Sequence, residues 1–191
     1  MTLEHRTTHP RITPLEVEHW DPKLRDQMLP KRPPEMGDAE APVFNIFKTL
    51  ANHPKLAGRF ARWGDQILFR SSLSPRDREL AILRTGWLCR ATYEWHHHVA
   101  IARDHAGMTE ADIDLARAGP VAASTAADDV LLRAVDELVG DHFITDTTWA
   151  ALATRLDQQQ LMELVFTVGN YTMVSMALNS FGVQLEEGYR P

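Results

Sequence analysis

Arg78-Glu79-Leu80-Ala81-Ile82-Leu83-Arg84-Thr85-Gly86-Trp87-Leu88-Cys89-Arg90-Ala91-Thr92-Tyr93-Glu94-Trp95-His96-His97-His98 is the stretch on which the reading of this chain turns. Its apolar positions recur at helical spacing, and strand-type alternation is absent. Ser74-Pro75 just upstream is a good helix start, because serine can cap and proline is tolerated in the first turn. Asp77 and Glu79 then fall where the helix dipole favours negative charge. These signals predict one helix to about Cys89 and a second from roughly Thr92 to His105. A connection as short as Cys89 to Ala91 can fold the two into a hairpin.

Within this stretch Glu94 and His98 are four residues apart and therefore share a helix face. A carboxylate beside an imidazole makes a proton-transfer pair, since each can hold the other's charge and orientation. Glu79 lies one helix earlier, and the hairpin can bring it to the same point. The three consecutive histidines are about 100° apart around the helix, so all three cannot share one site. By spacing alone, an exposed Glu–His ion pair worth a few tenths of a kcal/mol is the commoner outcome. Metal binding is the weaker rival. Zinc needs three or four converging ligands, and no Cys-x-x-Cys or His-Glu-x-x-His pattern supplies the others.

Outward from the hairpin the same periodicity continues, and the fold class is all-α. Val43 to Leu50 marks a helix ending near Asn52-His53-Pro54, and Pro54 opens another to about Arg70. Gly107 is the expected C-cap of the second hairpin helix. Thr109-Glu110-Ala111-Asp112 resembles a capping box. Ser124 or Thr125, and Thr145 or Asp146, start two more helices. A long helix from about Asp157 to Phe181 is apolar on most faces, which suits a core or an assembly interface. Pro10, Pro14, Pro22, Pro30, Pro33, Pro34 and Pro42 crowd the opening. Residues 1–40 therefore read as an extended arm over the domain or a neighbour, with a weak helix over Glu16 to Met28, and residues 41–191 as the helical domain.

A chain of 191 residues with a formal net charge of −6 and 44% hydrophobic residues fits one ordinary domain. Its basic residues are scattered, which argues against nucleic acid or an anionic membrane as partner. Apolar runs such as Leu161 to Val168 read as too short and interrupted to span a bilayer. The opening lacks the apolar core of a signal peptide, and a lone cysteine suits a reducing interior. The expected location is cytoplasmic.

Taken in order, Glu79, Tyr93 and His98, with Arg78 to Arg84 before them and Ala106 to Ile113 after, resemble the carboxymuconolactone decarboxylase / alkyl hydroperoxidase D family. The resemblance covers about Asn45 to Leu185. Val168-Gly169-Asn170-Tyr171 and Leu178-Asn179-Ser180 resemble the branch that carries Tyr-Glu-Trp in place of a dithiol. It implies an alkyl hydroperoxidase D-like helical bundle with a central helix hairpin, and a trimer or a dimer of trimers (a hexamer). In the dithiol members a Cys-x-x-Cys pair follows the glutamate. Its two cysteines fall here on Ala91 and Glu94, which can neither attack peroxide nor resolve a sulfenic acid.

What the resemblance leaves is acid–base chemistry without cofactor or metal, in a lyase of the decarboxylase type on a small carboxylated lactone or oxo-acid. Glu79, Glu94 and His98 are the expected catalytic residues, meeting in a solvent-reachable pocket. Arg84 is a candidate for a substrate carboxylate, with an ion pair to Glu79 or Asp77 as its ordinary alternative. Tyr93, Trp95, Tyr171 and Asn179 are candidates to line the pocket. A scaffold or small-ligand-binding oligomer is the rival, in which side chains fill that pocket. A peroxidase-like antioxidant protein without the dithiol is another, and there Cys89 should be exposed beside a positive group. Substituting His98 is expected to leave the fold intact.

Overall fold

A computed structural model describes residues 3–29 and 43–189. Among them the structure is entirely helical: α1 (Pro22–Met28), α2 (Asn45–Leu50), α3 (Pro54–Phe69), α4 (Pro75–Leu88), α5 (Thr92–Ala106), α6 (Glu110–Ala118), α7 (Ala126–Asp141), α8 (Asp146–Leu152) and α9 (Gln158–Phe181). Side chains capping the helices set most of these starts. Ser74 accepts from Asp77 N, Thr125 from Asp128 N and Thr145 from Thr148 N. Thr109 and Asp157 form full capping boxes.

The hairpin of α4 and α5 is the centre of the domain. α4 ends in a Schellman motif, with Arg90 N–H donating to Trp87 O and Ala91 N–H to Gly86 O. The residue that turns left-handed there is Arg90, at φ 52°, where glycine is usual. This reversal lays α5 back along α4, and α9 and α7 pack on α4 from other sides. Leu80, Leu83, Ile113, Leu131, Leu152 and Leu164 are sealed in the main core. α4 is consequently surrounded, and eight consecutive residues from Glu79 to Gly86 are buried.

The opening segment is tied to its own chain. Arg11 and Ile12 N–H groups donate to Phe181 O, and Trp20, Leu24 and Met28 are buried against Leu50, Ala51 and Ala57. Only a 3-10 turn, Val17–His19, precedes α1 within the weak helical stretch from Glu16. Gly182 permits the crossing of this segment over the end of α9. It sits at φ +68°, and a Cβ there would lie 2.6 Å from Thr7 Oγ1. Pro30, Pro33, Pro34 and Pro42 lie outside the described residues.

The expectation that no stretch could span a bilayer is corrected on length and hydropathy alone. α9 has 24 residues at a mean hydropathy of 1.3, enough by those measures. Half of that window is buried among the other helices, as in the core helix of a bundle.

Candidate active site

Burial turns the Glu94–His98 pair into something other than a surface ion pair. Glu79 is 0% exposed, and Glu94 and His98 are each 5% exposed. The hairpin brings the three together around the imidazole: His98 Nδ1 lies 2.7 Å from Glu79 Oε2, and Nε2 lies 3.0 Å from Glu94 Oε1. Both ring nitrogens therefore meet a carboxylate oxygen at donor distance. The Tyr171 ring stands edge-on to His98, with centroids 4.9 Å apart. Arg78 reaches back to Glu79, with Nε 3.4 Å from Oε1.

The electrostatics follow from this geometry. Burial alone pushes the imidazole down from its ordinary 6.5, but the Glu79 and Glu94 carboxylates together raise it to about 10. Opposite charges near 4 Å attract by roughly 4 kcal/mol each at an effective dielectric of 20, and two such partners outweigh one desolvation. At neutral pH His98 is an imidazolium, donating one N–H to each glutamate. The same carboxylates, after burial itself, hold the Tyr171 phenol well above its usual range.

A stability prediction follows. Unfolded, this imidazole titrates near 6.5; folded, near 10. Between those values the native chain keeps a proton the unfolded chain has lost. The stabilisation is complete below pH 6.5 and is lost as pH rises toward 10, at up to roughly 1.4 kcal/mol per pH unit. Denaturant unfolding from pH 6 to 10 should show this fall in the wild type and a flatter profile in His98→Gln. Parallel profiles would contradict it.

The other candidates are placed elsewhere. Arg84 does not join the trio, and its ion pair is to neither Glu79 nor Asp77. Its guanidinium forks onto Asp136, at 2.6 and 2.9 Å, while Nη1 donates to Ala116 O and Arg117 O. Five residues beyond Glu79, Arg84 points to another side of α4, and its donors are already engaged. Gly119, at φ +80°, makes room for it, since a Cβ there would lie within 3 Å of the guanidinium. Trp95 packs against Trp87 in the core, ring centroids 5.1 Å apart and planes inclined at 60°. Asn179 donates to Cys89 O at 3.0 Å and so ties α9 to the hairpin turn.

Tyr93 belongs to a separate polar cluster that the sequence did not announce. Its hydroxyl donates to Glu186 Oε1 at 2.7 Å, and His97 Nε2 lies 2.8 Å from Glu186 Oε2. Burial alone pushes the Glu186 carboxyl up, but His97, the Asn45 N–H and Tyr93 hold it at about 2. Arg78 was also missed, because neighbours on a helix point about 100° apart and only a long side chain reaches back. Among the described residues no group of three or more His, Cys, Asp or Glu side chains has the arrangement of a metal site.

Fold and site together define a helical-bundle protein built on a hairpin, with a buried glutamate–histidine–glutamate trio. Residues 54–138 match the model of the Carboxymuconolactone decarboxylase family. The fold is that of alkylhydroperoxidase D. An uncharacterised peroxidase-related protein with an alkylhydroperoxidase AhpD core, from Ralstonia eutropha JMP134, superposes with a TM-score of 0.77 at 18% identity, over 94% of this chain and 95% of that one. An uncharacterised peroxidase-related protein from Silicibacter sp. TM1040 gives 0.69 at 16% identity, over 77% and 78%. A protein of unknown function from Agrobacterium tumefaciens, described as a candidate antioxidant defence protein AhpD, gives 0.64 at 18% identity, over 72% and 94%. Comparison with curated protein sequences returns no match.

Proposed function

We propose that this protein is a cofactor-free acid–base enzyme, a decarboxylase-like lyase acting on a small carboxylated lactone or oxo-acid. The observation that carries this reading is His98 held, buried, between the Glu79 and Glu94 carboxylates. Loss of carbon dioxide leaves an electron pair on carbon as a carbanion or enolate, and that centre needs a proton. An imidazolium held near 10 keeps its proton against water and releases it to such a stronger base. Exclusion of water by the surrounding helices protects the reactive intermediate. The proposal is tested by screening small lactones and oxo-acids with carbon dioxide release monitored, in the wild type and in Glu94→Gln. Release by the wild type that Glu94→Gln lowers supports it; no turnover across the screen counts against it.

The seal itself favours a second reading. The trio as it stands is closed to solvent, since no member is more than 5% exposed. A substrate must displace side chains to reach it, whereas a non-catalytic scaffold or ligand-binding oligomer needs no access. The peroxidase-like antioxidant reading is equally consistent with the family and its structural neighbours, and Cys89 separates it from the lyase. Burial pushes that thiol up, outweighing contacts from Ser175 and Thr172 and the charge of Arg6. With Ala91 and Glu94 at the dithiol positions, reduced protein should not turn over hydrogen peroxide or an alkyl hydroperoxide in a coupled assay. Cys89-dependent turnover on the order of 1 s⁻¹ or more would contradict this.

The proposal extends to assembly. Met162, Phe166, Met173 and Met176 recur on one face of α9 and are 48–63% exposed, and Trp63 of α3 packs edge-on against Phe166. Apolar exposure on this scale is a mark of an interface. Light scattering at micromolar concentration should give a homo-oligomer, a trimer or hexamer; a monomer of 21.6 kDa would contradict it.

A further inference from the structure

We propose that Arg78 anchors the substrate's carboxylate and that its guanidinium is the way into the closed trio. Of the three arginines of α4, Arg76 closes on Asp112 and Asp128, and Arg84 forks onto Asp136, each with contacts of 2.6 Å. Arg78 makes no such fork. Its one contact among the described residues runs from Nε to Glu79 Oε1 at 3.4 Å, long for a charge-assisted hydrogen bond, and both Nη groups are left without an acceptor. Yet its side chain is only 13% exposed. An arginine buried to this extent ordinarily spends its donors on a carboxylate. Neither Nη group is among the unpaired polar atoms shut away from solvent, so the fork is open to an incoming anion.

Position and charge say which anion. The Glu79 carboxylate that Arg78 touches through Oε1 holds His98 through Oε2, so a carboxylate on the fork lies one side chain away from the imidazole. The guanidinium also acts on the Tyr171 phenol, against the two glutamates, and so stands near that ring. Two carboxylates around one imidazolium leave the trio with a net negative charge, which repels an anionic substrate. Among the described residues Arg78 is the one further cation in contact with the trio, and it makes the group neutral. Releasing so long a contact costs little, and Glu79 keeps His98 when the fork turns to a substrate. Arg78 reaches solvent where no member of the trio is more than 5% exposed, so it is the point at which the two meet. The inference deepens the lyase reading and rests on it for the substrate class, while the site itself is tested by binding, apart from turnover.

Calorimetry on the full chain at neutral pH uses two probes, a γ-butyrolactone that carries a ring carboxylate and plain γ-butyrolactone. The carboxylated ring should bind with Kd on the order of 1 mM or tighter, and the neutral ring about tenfold weaker or more. Arg78→Gln should weaken the carboxylated ring about tenfold to hundredfold, the worth of hydrogen bonding to a charged group, and leave the neutral ring no weaker. Arg78→Lys, which keeps the charge and loses the fork, should fall between. The proposal is overturned if the carboxylated ring does not bind at about 10 mM, if the two rings bind alike, or if a folded Arg78→Gln protein binds the carboxylated ring as the wild type does. Should Arg78→Gln fail to fold, Arg78→Lys decides alone, and unchanged binding there overturns the proposal. Arg78-dependent binding with no carbon dioxide release keeps this site and removes the lyase. Release that Glu94→Gln lowers and Arg78→Gln leaves unchanged keeps the lyase and removes this site.

Discussion

His98→Ala should lower turnover by roughly 10²–10⁴-fold, the usual contribution of a positioned proton donor, and should also destabilise the chain by about 3–5 kcal/mol. The second effect corrects the expectation that this residue could be removed without harm to the fold. That expectation belonged to a solvent-reachable pocket. In the structure His98 is the cation between two carboxylates that are at most 5% exposed, and its loss leaves both without their partner. Glu94→Gln separates the two effects. The amide oxygen still accepts from Nε2–H, while half of the charge that raises the imidazole is gone. Turnover should fall and its pH profile shift downward, with a smaller stability loss than in His98→Ala. A folded, fully active His98→Ala protein would end the acid–base reading.

Arg84→Ala is expected to cost a similar amount, about 3–5 kcal/mol, for a reason unrelated to chemistry. It strands Asp136 and removes the donor shared by the carbonyls of Ala116 and Arg117. Arg84→Lys should recover little of this, because a compact ammonium cannot span a carboxylate fork and two carbonyls together. Thermal unfolding of both variants, with turnover measured on the folded fraction, makes the check. Stability unchanged beside a raised KM would return Arg84 to the substrate.

The contrast between these two residues shows where the sequence was legible. Helix starts were readable because their signals are local: Ser74, Thr109, Thr145 and Asp157 each cap the helix they precede. The meeting of Glu94 and His98 was readable from their four-residue spacing, and Glu79 joined them once the short turn at Cys89 to Ala91 reversed the chain. Long-range partners left no such trace. Nothing near Arg84 names Asp136, which is 52 residues on, and nothing near Tyr93 names Glu186, 93 residues on. Burial was hidden for a related reason. α4 carries charges on several sides, as a surface helix does, yet α5, α6, α7 and α9 pack around it, and His98, Asp112, Asp128, Asp136 and Arg155 pair with those charges.

The central claim is that His98 is a sealed imidazolium bridging Glu79 and Glu94 at neutral pH. Nitrogen NMR of the His98 ring, followed from pH 6 to 11, reads it directly. Two protonated ring nitrogens are expected at pH 7, with loss of the first proton only near 10. A His98 ring that is neutral at pH 7, or that titrates near 6.5 like a solvent-exposed histidine, would contradict it.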